Sequence, residues 1–461
     1  MFIGSFSSKL HILFKSLFNI ARMNIDLLYQ KYLQSRVVCT DTRQITSGCV
    51  FFALKGDNFD GNAFAGQALE AGASWVVIDD ATQQKDERFL LVEDVLTALQ
   101  ELASHHRQQL SIPVIAITGT NGKTTTKELL YSVLSQHCKT HATTGNLNNH
   151  IGVPLTLLSM PSDTEIAIIE MGANHQKEIA FLCSIARPTH GLITNVGKAH
   201  LEGFGSLEGV KTAKGELYEY LAKNEGVAFI NSDNGQLVDM ARERNVQNQV
   251  HYGSTADNYI SGTLKESGPF LTIAWHREAM EIDDRTHIST SNLTGIYNFE
   301  NILAAICVGT FFRLSPEQVS RGIEAYQPKN NRSQITKTER NTLICDFYNA
   351  NPSSMAVALD NLQNVVEKQK AFILGDMFEL GGEAEVEHRL VVEKAFSLNA
   401  QKSIFVGDEF YKLKDESAGE GEFYRSTADA YKALQKDPLN GFLILIKGSR
   451  GMKLETLTGI L

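Results

Sequence analysis

The segment from Ile117 to Thr125 constrains the fold of this chain more than any other part of its sequence. It reads Ile-Thr-Gly-Thr-Asn-Gly-Lys-Thr-Thr, overlaps the end of the apolar run Val114–Thr118 and opens a helical pattern over residues 123–137. A phosphate-binding loop requires this order of strand, glycine-containing loop and helix. Gly119 and Gly122 let backbone N–H groups approach phosphate oxygens, and the helix N-terminus adds a partial positive charge. The segment therefore predicts an α/β domain with a mainly parallel sheet and a bound phosphate group.

Two side chains of this segment carry the predicted chemistry. Lys123 would neutralise the β- and γ-phosphates of a nucleotide, and the hydroxyl of Thr124 would be a ligand of Mg²⁺. The general pattern of such loops has glycine where this chain has Ile117, so the general signature is only partly met. The alternative is a glycine-rich turn beside an unrelated Lys-Thr pair, and the strand and helix on either side argue against it.

Apolar strands alternate with helical patterns throughout residues 109–326, which we predict to be a central domain. Residues 259–293 alternate between apolar and polar side chains instead, which predicts antiparallel strands added to the parallel sheet. A pair of helices is predicted at residues 298–325. The predicted parallel strands are Val114–Thr118, Glu165–Glu170, Gly191–Thr194 and Gly226–Ile230, and the predicted helices cover residues 123–137, 175–186, 206–222 and 235–243.

Two smaller α/β domains are predicted on either side of the central domain. Residues 23–108 contain short strands and helices, including the apolar run Cys49–Leu54 and the strand pattern Trp75–Ile78. Residues 327–461 return to apolar strands separated by helices, which is typical of a Rossmann-like domain. Residues 1–22 fit either a short basic amphipathic helix or an upstream extension before a start at Met23, and we favour the extension. The strands predicted in the C-terminal domain are Leu343–Asp346, Ala371–Leu374, Ser403–Val406 and Phe442–Ile446.

Composition argues against several classes of protein. The chain has 461 residues, of which 43% are hydrophobic and 21% charged, as is ordinary for a soluble globular protein of several domains. Its net charge of -10 disfavours broad nucleic-acid binding, which needs a basic surface. The six cysteines have neither metal-ligand nor disulfide spacing, which favours a reducing cytoplasm. We expect no membrane span, because residues 23–461 contain no run of about 18 apolar residues.

Three further side chains are candidate metal or phosphate ligands, and each also has an ordinary interpretation. Glu170 ends a predicted strand, at the edge of the sheet where the phosphate loop is expected, and could be a second ligand of Mg²⁺. An N-cap or a solvated carboxylate explains Glu170 equally well when that residue is considered alone. A lone histidine such as His200 is more often a structural hydrogen-bonding residue, and Lys214 could be a surface charge on a helix.

Asn298 and Asn301 are a candidate pair for base recognition. They are separated by three positions and therefore share one face of a predicted helix. Their amides could read the edge of a nucleotide base, or they could cap the start of the helix. The spacing is compatible with both interpretations.

Taken together, these motifs resemble the Mur ligase family from around Val38 to the end of the chain. The segment Thr118–Thr125 matches the family's own version of the phosphate loop, which accounts for Ile117. The chain departs from the family at Tyr297 and Asn62, where histidine is more common, and at Asn331-Arg332-Ser333, in place of Gly-Arg. The other matching stretches are Gly145-Asn146-Leu147-Asn148-Asn149, Glu170-Met171-Gly172-Ala173-Asn174-His175 and Thr194-Asn195-Val196-Gly197-Lys198-Ala199-His200. Tyr348–Met355 and Leu374–Gly381 resemble the members that add the dipeptide D-alanyl-D-alanine.

The resemblance implies a role for each matching residue. Lys123, Lys214 and His200 would be catalytic, and Lys214 would be carbamylated so that its new carboxylate bridges metal ions. The implied ligands of Mg²⁺ are Thr124, Glu170, His200 and Lys214. The implied ATP-binding residues are Gly119, Thr120, Asn121, Gly122, Lys123, Thr124, Thr125, Asn298, Asn301, Arg332 and Asp346. The implied substrate-binding residues are Thr42, Arg43, Lys55, Asp60, Asn146, Asn148, Asn149, Tyr348, Asn351 and Ser354.

The resemblance also implies a reaction. It is an ATP-dependent, ADP-forming ligation through an acyl-phosphate, which adds D-alanyl-D-alanine to UDP-N-acetylmuramoyl-tripeptide in peptidoglycan precursor synthesis. Residues 23–108 would bind the uridine nucleotide and residues 327–461 the dipeptide. Such an enzyme is expected to be a cytoplasmic monomer that acts on small molecules and supports cell-wall growth, cell shape and division. The alternatives are another Mur or folylpolyglutamate-type ligase that adds a single amino acid, and a phosphate-loop ATPase that acts as a conformational switch.

Overall fold

The structure is a computed structural model that describes residues 24–268, 270–277, 286–329, 331–365, 369–417 and 419–461. The extension predicted for residues 1–22 lies outside the described residues. Internal contacts divide the chain into two compact units. The first unit comprises the described residues up to 114 together with residues 141–171 and 181–188. The second unit comprises residues 115–140, 172–180 and the described residues from 189 onwards.

Helices and strands alternate along the chain, as expected for an α/β protein. The helices are α1 (Ile25–Ser35), α2 (Ala65–Glu70), α3 (Val95–Gln108), α4 (Lys123–Leu134), α5 (Gly152–Leu158), α6 (Glu178–Ala186), α7 (Leu201–Phe204), α8 (Leu207–Lys223), α9 (Gly235–Glu243), α10 (Asn298–Phe311), α11 (Pro316–Ala325), α12 (Pro352–Asn364), α13 (Ala384–Phe396), α14 (Asp408–Lys412) and α15 (Thr427–Lys436). The strands are β1 (Val38–Cys39), β2 (Val50–Phe52), β3 (Lys55–Gly56), β4 (Phe59–Asp60), β5 (Trp75–Ile78), β6 (Phe89–Leu91), β7 (Val114–Thr118), β8 (Thr140–Ala142), β9 (Ile166–Glu170), β10 (His190–Ile193), β11 (Val227–Asn231), β12 (Asn248–Gly253), β13 (Ile260–Glu266), β14 (Thr272–Arg277), β15 (His287–Thr290), β16 (Gln334–Lys337), β17 (Thr342–Asp346), β18 (Lys370–Gly375), β19 (Lys402–Val406), β20 (Glu422–Tyr424) and β21 (Leu443–Lys447).

The first unit contains a four-stranded sheet in the order β1-β2-β5-β6, and every neighbouring pair in it is parallel. All of β2 and most of β5 are buried, which explains why their sequences are continuous apolar runs rather than alternating ones. Phe51, Val76 and Ile78 belong to the core beside this sheet. The predicted strand Trp75–Ile78 is confirmed, whereas only Val50–Phe52 of the predicted run Cys49–Leu54 forms a strand.

Seven strands of the second unit form a sheet in the order β15-β14-β13-β12-β11-β10-β7. The neighbouring strands β7, β10, β11, β12 and β13 pair in parallel. The strands β13, β14 and β15 pair in antiparallel fashion. The structure therefore confirms a parallel sheet extended by antiparallel strands. The sequence did not predict β12, because its Asn-Gln-Val-His-Tyr-Gly has no extended apolar run.

A six-stranded sheet in the order β16-β17-β21-β18-β19-β20 forms the C-terminal part of the second unit. Its neighbours are parallel except for β16, which is antiparallel to β17. Alternate residues of β18 point to opposite faces, so Phe372 and Ile373 enter two different hydrophobic cores. The four strands predicted here are confirmed as β17, β18, β19 and β21, with boundaries shifted by one residue. Within the described residues, no helix is both long and apolar enough to cross a lipid bilayer.

Candidate functional site

The loop between β7 and α4 has the conformation that anion binding requires. Gly119 and Gly122 have φ angles of 144° and 79°. A Cβ atom on Gly119 would lie 2.0 Å from Oγ1 of Thr194, and one on Gly122 would lie 2.7 Å from Oδ1 of Asn301. Both positions therefore require glycine. Helix α4 begins directly after Gly122, which has no side chain to cap it, so the backbone N–H groups of its first turn can bind an anion.

The loop that follows β10 holds the phosphate loop in place. The backbone N of Asn121 donates to Oδ1 of Asn195 at 3.0 Å, and Nδ2 of Asn195 donates back to the carbonyl of Asn121 at 3.1 Å. Oγ1 of Thr194 donates to the same carbonyl at 2.6 Å. Thr120 and Gly197 add a reciprocal pair of hydrogen bonds at 2.9 and 3.2 Å. Thr194 and Asn195 were not predicted as site residues, although both lie in a motif that carries the family resemblance.

Lys123 folds back over the phosphate loop. Its Nζ donates to the carbonyls of Gly119 at 2.6 Å and Thr120 at 2.9 Å. Thr124 and Thr125 follow in the first turn of α4, and both are buried. The cation and the hydroxyl that were predicted to bind phosphate and Mg²⁺ thus belong to one helix start.

Lys214 is a buried cation in α8. The residue is 2% exposed, and its Nζ lies 3.4 Å from the carbonyl oxygen of Ala173 and 5.3 Å from the centroid of the Phe204 ring. No carboxylate of the described residues lies within ion-pair distance of it. Burial lowers the pKa of Lys214 to about 7, and the nearby charge of Lys123 acts in the same direction. The amine is therefore partly neutral near pH 7, and the interpretation of Lys214 as a surface charge is wrong.

His200 contacts a carboxylate from the C-terminal sheet. It precedes α7 with a φ of 49°, and its Nδ1 is hydrogen-bonded to Oε2 of Glu379 in the loop after β18. Burial lowers the pKa of His200, and the charge of Glu379 opposes this effect. A neutral imidazole whose other nitrogen is free to coordinate is the form that binds metal ions.

Asn298 and Asn301 lie in the first turn of α10 and are both buried. Nδ2 of Asn301 donates to Oδ1 of Asn298 at 2.9 Å, and Oδ1 of Asn301 accepts from Oγ1 of Thr126 at 3.0 Å. Nδ2 of Asn298 donates to the carbonyl of Thr294 at 2.7 Å. The amides therefore join the start of α10 to the phosphate-loop helix, and they remain compatible with both base recognition and support of the helix start.

Several charged and aromatic side chains meet at the end of β17. Oδ2 of Asp346 accepts from Nζ of Lys447 at 2.7 Å, and Oδ1 accepts from the backbone N of Ser333 at 3.2 Å. The guanidinium of Arg332 lies over the ring of Tyr348, 3.8 Å from its centroid. The structure thus places the predicted residues Arg332, Asp346 and Tyr348 close together. Lys447 was not among the predicted site residues, although it ends an apolar strand and begins the loop Lys447-Gly448-Ser449-Arg450.

Asn351 links the C-terminal sheet to the phosphate loop. Its Nδ2 donates to Oδ1 of Asn121 at 2.9 Å. Its Oδ1 accepts from the backbone N of Ser354 at 2.9 Å, and Oγ of Ser354 accepts from the backbone N of Asn351 at 3.1 Å. These two bonds form a capping box at the start of α12. Asn351 and Ser354 therefore cap α12, and Asn351 also contacts the phosphate loop.

Glu170 is a buried carboxylate at the end of β9 in the first unit. Its Oε1 accepts from Nδ2 of Asn148 at 2.8 Å, and its backbone N donates to Oγ1 of Thr143 at 3.0 Å. Oδ1 of Asn149 accepts from the backbone N of Gly152 at 2.9 Å, while Asn146 is exposed. The interpretation of Glu170 as a solvated acid is wrong, and two of the three predicted asparagines have defined structural partners.

The residues predicted to bind the uridine nucleotide also lie in the first unit. Arg43 pairs with Asp41 at 2.7 Å on the protein surface, on either side of Thr42. Lys55 pairs with Asp79 at 2.8 Å and is half exposed. Each of these two cations is therefore paired with a carboxylate while remaining at least half exposed.

Asn62 joins Lys55 and Asp60 into one polar network. It is 1% exposed, and its Nδ2 donates to Oδ1 of Asp60 and to Oδ1 of Asp79, both at 2.7 Å. Its Oδ1 accepts from the backbone N of Asp79 at 3.0 Å. An amide suits this position because it can donate to two carboxylates and accept a backbone N–H at the same time. Asp79 was not predicted as part of this region.

A magnesium ion would need ligands other than a cluster of protein carboxylates. In the part of the chain that the structure describes, no group of three or more His, Cys, Asp or Glu side chains is arranged to hold a metal ion. The candidate Thr124 is a single donor in the first turn of α4, and the candidate His200 is a single donor just before α7. This fits Mg²⁺, which keeps several waters and is usually held by one or two protein groups together with nucleotide phosphates.

Three family models match the chain. The Mur ligase middle domain matches residues 117–309, the Mur ligase glutamate ligase domain matches residues 331–450, and the model named Mur ligase family, catalytic domain, matches residues 35–107. The matches cover the phosphate loop, the C-terminal sheet and the four-stranded sheet in turn.

Named relatives resemble the chain over most of its length. The UDP-N-acetylmuramoyl-tripeptide--D-alanyl-D-alanine ligase of Bacillus subtilis (strain 168) is 34% identical over 95% of this chain and 96% of its own. The enzyme of the same name from Escherichia coli (strain K12) is 36% identical over 91% and 92%. Among solved structures, MurF from Acinetobacter baumannii has a TM-score of 0.81 at 30% identity and 92% coverage of both chains. MurF ligase from Thermotoga maritima, solved in complex with ADP, has a TM-score of 0.77 at 25% identity, covering 92% of this chain and 97% of its own.

Proposed function

The chain belongs to the Mur ligase family, and we propose that it joins D-alanyl-D-alanine to UDP-N-acetylmuramoyl-tripeptide in peptidoglycan precursor synthesis. ATP drives the reaction and leaves as ADP and phosphate. Relatives that carry this activity in their names match the chain almost end to end. The observation that supports it most strongly is a phosphate loop in the same compact unit as Lys214, a buried lysine with a pKa lowered to about 7. A nucleotide switch has no need of such a lysine.

The first step activates the terminal carboxylate of the tripeptide. A carboxylate oxygen attacks the γ-phosphorus of ATP, the bond to the β-phosphate oxygen breaks, and the products are an acyl-phosphate and ADP. The backbone N–H groups of the loop from Gly119 to Lys123 bind the phosphates, and the Lys123 ammonium offsets negative charge on the transferring oxygens. The protein contributes mainly position and charge to this step.

Lys214 is proposed to act as a carbamate. Its neutral amine attacks CO₂ to form an N–C bond and releases one proton, so a buried cation becomes a buried anion. The lowered pKa supplies the neutral amine near pH 7. Thr124, Glu170, His200 and the modified Lys214 are the proposed protein ligands of Mg²⁺, and the bound ion would offset the charge of the phosphoryl oxygens.

The second step forms the amide bond. The amine of D-alanyl-D-alanine attacks the acyl carbon, and phosphate departs with the oxygen that came from the carboxylate. We assign the dipeptide to residues 327–461, with Tyr348, Asn351 and Ser354 as contacts. Asn351 already reaches the phosphate loop through Asn121, so one loop can contact both the nucleotide side and the dipeptide side.

The remaining assignments follow the predicted domains. Residues 23–108 are proposed to bind the uridine nucleotide through Thr42, Arg43, Lys55 and Asp60. Asn146, Asn148 and Asn149, in the central region 109–326, are proposed to face the muramoyl-peptide. Asn298, Asn301, Arg332 and Asp346 are proposed to contact the adenosine and phosphates of ATP. We further propose that the enzyme is a cytoplasmic monomer that acts only on small molecules.

The test is ATP-dependent phosphate release with paired substrates. UDP-N-acetylmuramoyl-tripeptide with D-alanyl-D-alanine is compared with UDP-N-acetylmuramoyl-dipeptide and single amino acids. We expect release only with the first pair and a product whose mass rises by the dipeptide less one water. Turnover with a single amino acid alone would move the specificity to another ligase of the family. Failure of every pair despite intact ATP binding would contradict the ligase assignment.

A further inference from the structure

We propose that Glu379 is a positioning residue for His200, which it holds in the tautomer that offers Nε2 to a metal ion. This inference rests on the proposed function, in which His200 is a ligand of Mg²⁺. Glu379 lies in the loop after β18 of the C-terminal sheet, whereas His200 lies beyond β10 of the central sheet. The C-terminal sheet would thereby set the geometry of a ligand that belongs to the nucleotide side.

The hydrogen bond between these side chains fixes the position of the imidazole proton. Nδ1 of His200 is bonded to Oε2 of Glu379. An ionised carboxylate can only accept, so Nδ1 must carry the proton and Nε2 must be unprotonated when the ring is neutral. Histidines that bind metal ions usually donate their other ring N–H to such an acceptor, which orients the ring and raises its basicity.

The backbone of both partners is strained. His200 has a φ of 49° and Glu379 a φ of 63°, in the left-handed region that residues with a Cβ rarely adopt. Backbone strain of this kind concentrates at functional sites. The backbone N of Glu202 also donates to the carbonyl of Glu379 at 3.4 Å, so main chain and side chain both join the two loops. Strain at both ends of one hydrogen bond favours a functional role for that bond in positioning His200.

The loop that carries Glu379 is anchored from the C-terminal side. The backbone N of Met377 donates to Nε2 of His388 at 3.0 Å, and the backbone N of Phe378 donates to Oγ of Ser449 at 2.9 Å. His388 is 0% exposed and bonds the carbonyl of Ala384 through Nδ1. These buried contacts hold the residues just before Glu379, so its carboxylate is presented by a rigid support.

A separate ion pair joins the segment before His200 to the helix that follows the Glu379 loop, without contacting the imidazole. Nζ of Lys198 lies 2.6 Å from Oε1 of Glu387, and the Glu387 carboxylate is buried. The backbone N of Lys198 also donates to Oγ of Ser353 at 2.9 Å. The contact between these two segments therefore does not depend on Glu379 alone, and the specific effect of Glu379 on His200 can be measured separately.

The first experiment measures Mn²⁺ binding to the full chain in the presence of a non-hydrolysable ATP analogue, from the electron paramagnetic resonance signal of free Mn²⁺. We expect Glu379→Ala to weaken Mn²⁺ binding about tenfold and Glu379→Gln to weaken it less, because glutamine keeps an acceptor. Glu383→Ala removes an exposed carboxylate nearby and is expected to leave the affinity unchanged. Lys198→Met is expected to do the same, and an equal loss in Lys198→Met would overturn the proposal in favour of general contact.

The His200→Ala variant separates this inference from the proposed function. If His200→Ala weakens Mn²⁺ binding and Glu379→Ala does not, the positioning role is wrong and the ligand role of His200 stands. If His200→Ala itself leaves the affinity unchanged, the ligand role fails as well. A second measurement uses the unmodified protein, so it does not depend on the folding of a variant. The ¹⁵N chemical shifts of the His200 ring are expected to show a protonated Nδ1, and a protonated Nε2 would overturn the inference.

Discussion

The phosphate-loop edge of the central sheet and the loop edge of the C-terminal sheet are both built at the carboxyl ends of parallel strands, but from different groups. At the phosphate loop the backbone N–H groups form the proposed binding surface, and two glycines with positive φ make them accessible. At the C-terminal edge buried side chains do the positioning: Lys447 pairs with Asp346, and His388 accepts a hydrogen bond from the backbone N of Met377.

This difference predicts different consequences of mutation. We propose that the cation of the phosphate loop stabilises a transition state, so its removal should lower activity and leave the fold intact. Removing one member of a buried pair leaves the other desolvated, so stability should fall first. Variants at the two edges can therefore confirm or contradict the comparison.

Lys123→Ala should have the largest effect. Loss of the ammonium beside the transferring phosphoryl group is expected to lower kcat about 10³-fold, because one preorganised charge is worth several kcal/mol in the transition state. The melting temperature should change less than the activity, because the hydrogen bonds from Lys123 to Gly119 and Thr120 join residues of one loop. Lys223→Ala, an exposed lysine at the end of α8, is the matched control. Turnover like that of the unmodified enzyme would contradict the phosphate-loop assignment.

Lys447→Met should act chiefly on stability. The substitution leaves the Asp346 carboxylate without its partner, and we expect the free energy of unfolding to fall by about 3 kcal/mol. Chemical denaturation measures this loss. The double variant with Asp346→Asn should recover much of it, because no unpaired charge then remains. Equal losses in the single and double variants would contradict the side-chain account of this edge.

Lys214→Ala should lower activity about a hundredfold, because it removes the proposed carbamate and its contribution to charge stabilisation. Short carboxylates such as acetate should restore part of the rate by occupying the space of the missing side chain. Steady-state phosphate release measures both effects. A rate equal to that of the unmodified enzyme, with no response to acetate, would show that the buried amine has no part in the reaction.

The pKa of Lys214 also predicts a pH dependence of stability. Its pKa is lowered from 10.5 to about 7 in the folded chain, so the unfolded chain binds more protons between these values. Stability should therefore rise with pH across this window, and the rise should be absent in Lys214→Met. Denaturation in CO₂-free buffer at several pH values tests this, and equal slopes in the two proteins would argue against a buried neutral amine.

Asn351→Ala should have the smallest effect. Asn351 itself connects the two edges through its bond to Asn121. The substitution removes the cap of α12 and the bond to Asn121, and we expect a stability loss of about 1 kcal/mol. Asn351→Ser keeps a capping hydroxyl but cannot donate to Asn121 through an amide. Asn351→Ser should restore the stability but not the activity, which the loss of the bond to Asn121 lowers modestly. Recovery of both would assign Asn351 to the helix cap alone.

The same difference explains what the sequence could predict. The phosphate loop depends on local order, since a strand, two glycines and a helix start are contiguous, and the predicted Val114–Thr118 strand and the helix at Lys123 are both present. The four main strands of the C-terminal sheet were also predicted, because each is a continuous apolar run. Short or polar strands such as β12 and β20 were missed, because their stability depends on neighbours that are distant in sequence.

The partners of individual side chains could not be predicted from local sequence. Glu379 meets His200, Lys447 meets Asp346 and Asn351 meets Asn121 across long separations in the chain. Burial likewise excluded the surface-charge interpretation of Lys214 and the solvated-acid interpretation of Glu170. The family resemblance supplied expected roles for Lys214 and Glu170, whereas their contacts and burial came only from the fold.

The most direct test of the acyl-phosphate mechanism follows one oxygen atom. The acceptor is prepared with ¹⁸O in its terminal carboxylate and incubated with ATP, D-alanyl-D-alanine and the enzyme. An acyl-phosphate route transfers one carboxylate oxygen to the released phosphate, so the account predicts phosphate that carries one ¹⁸O. Released phosphate without ¹⁸O, in a reaction that still forms the amide, would contradict the account.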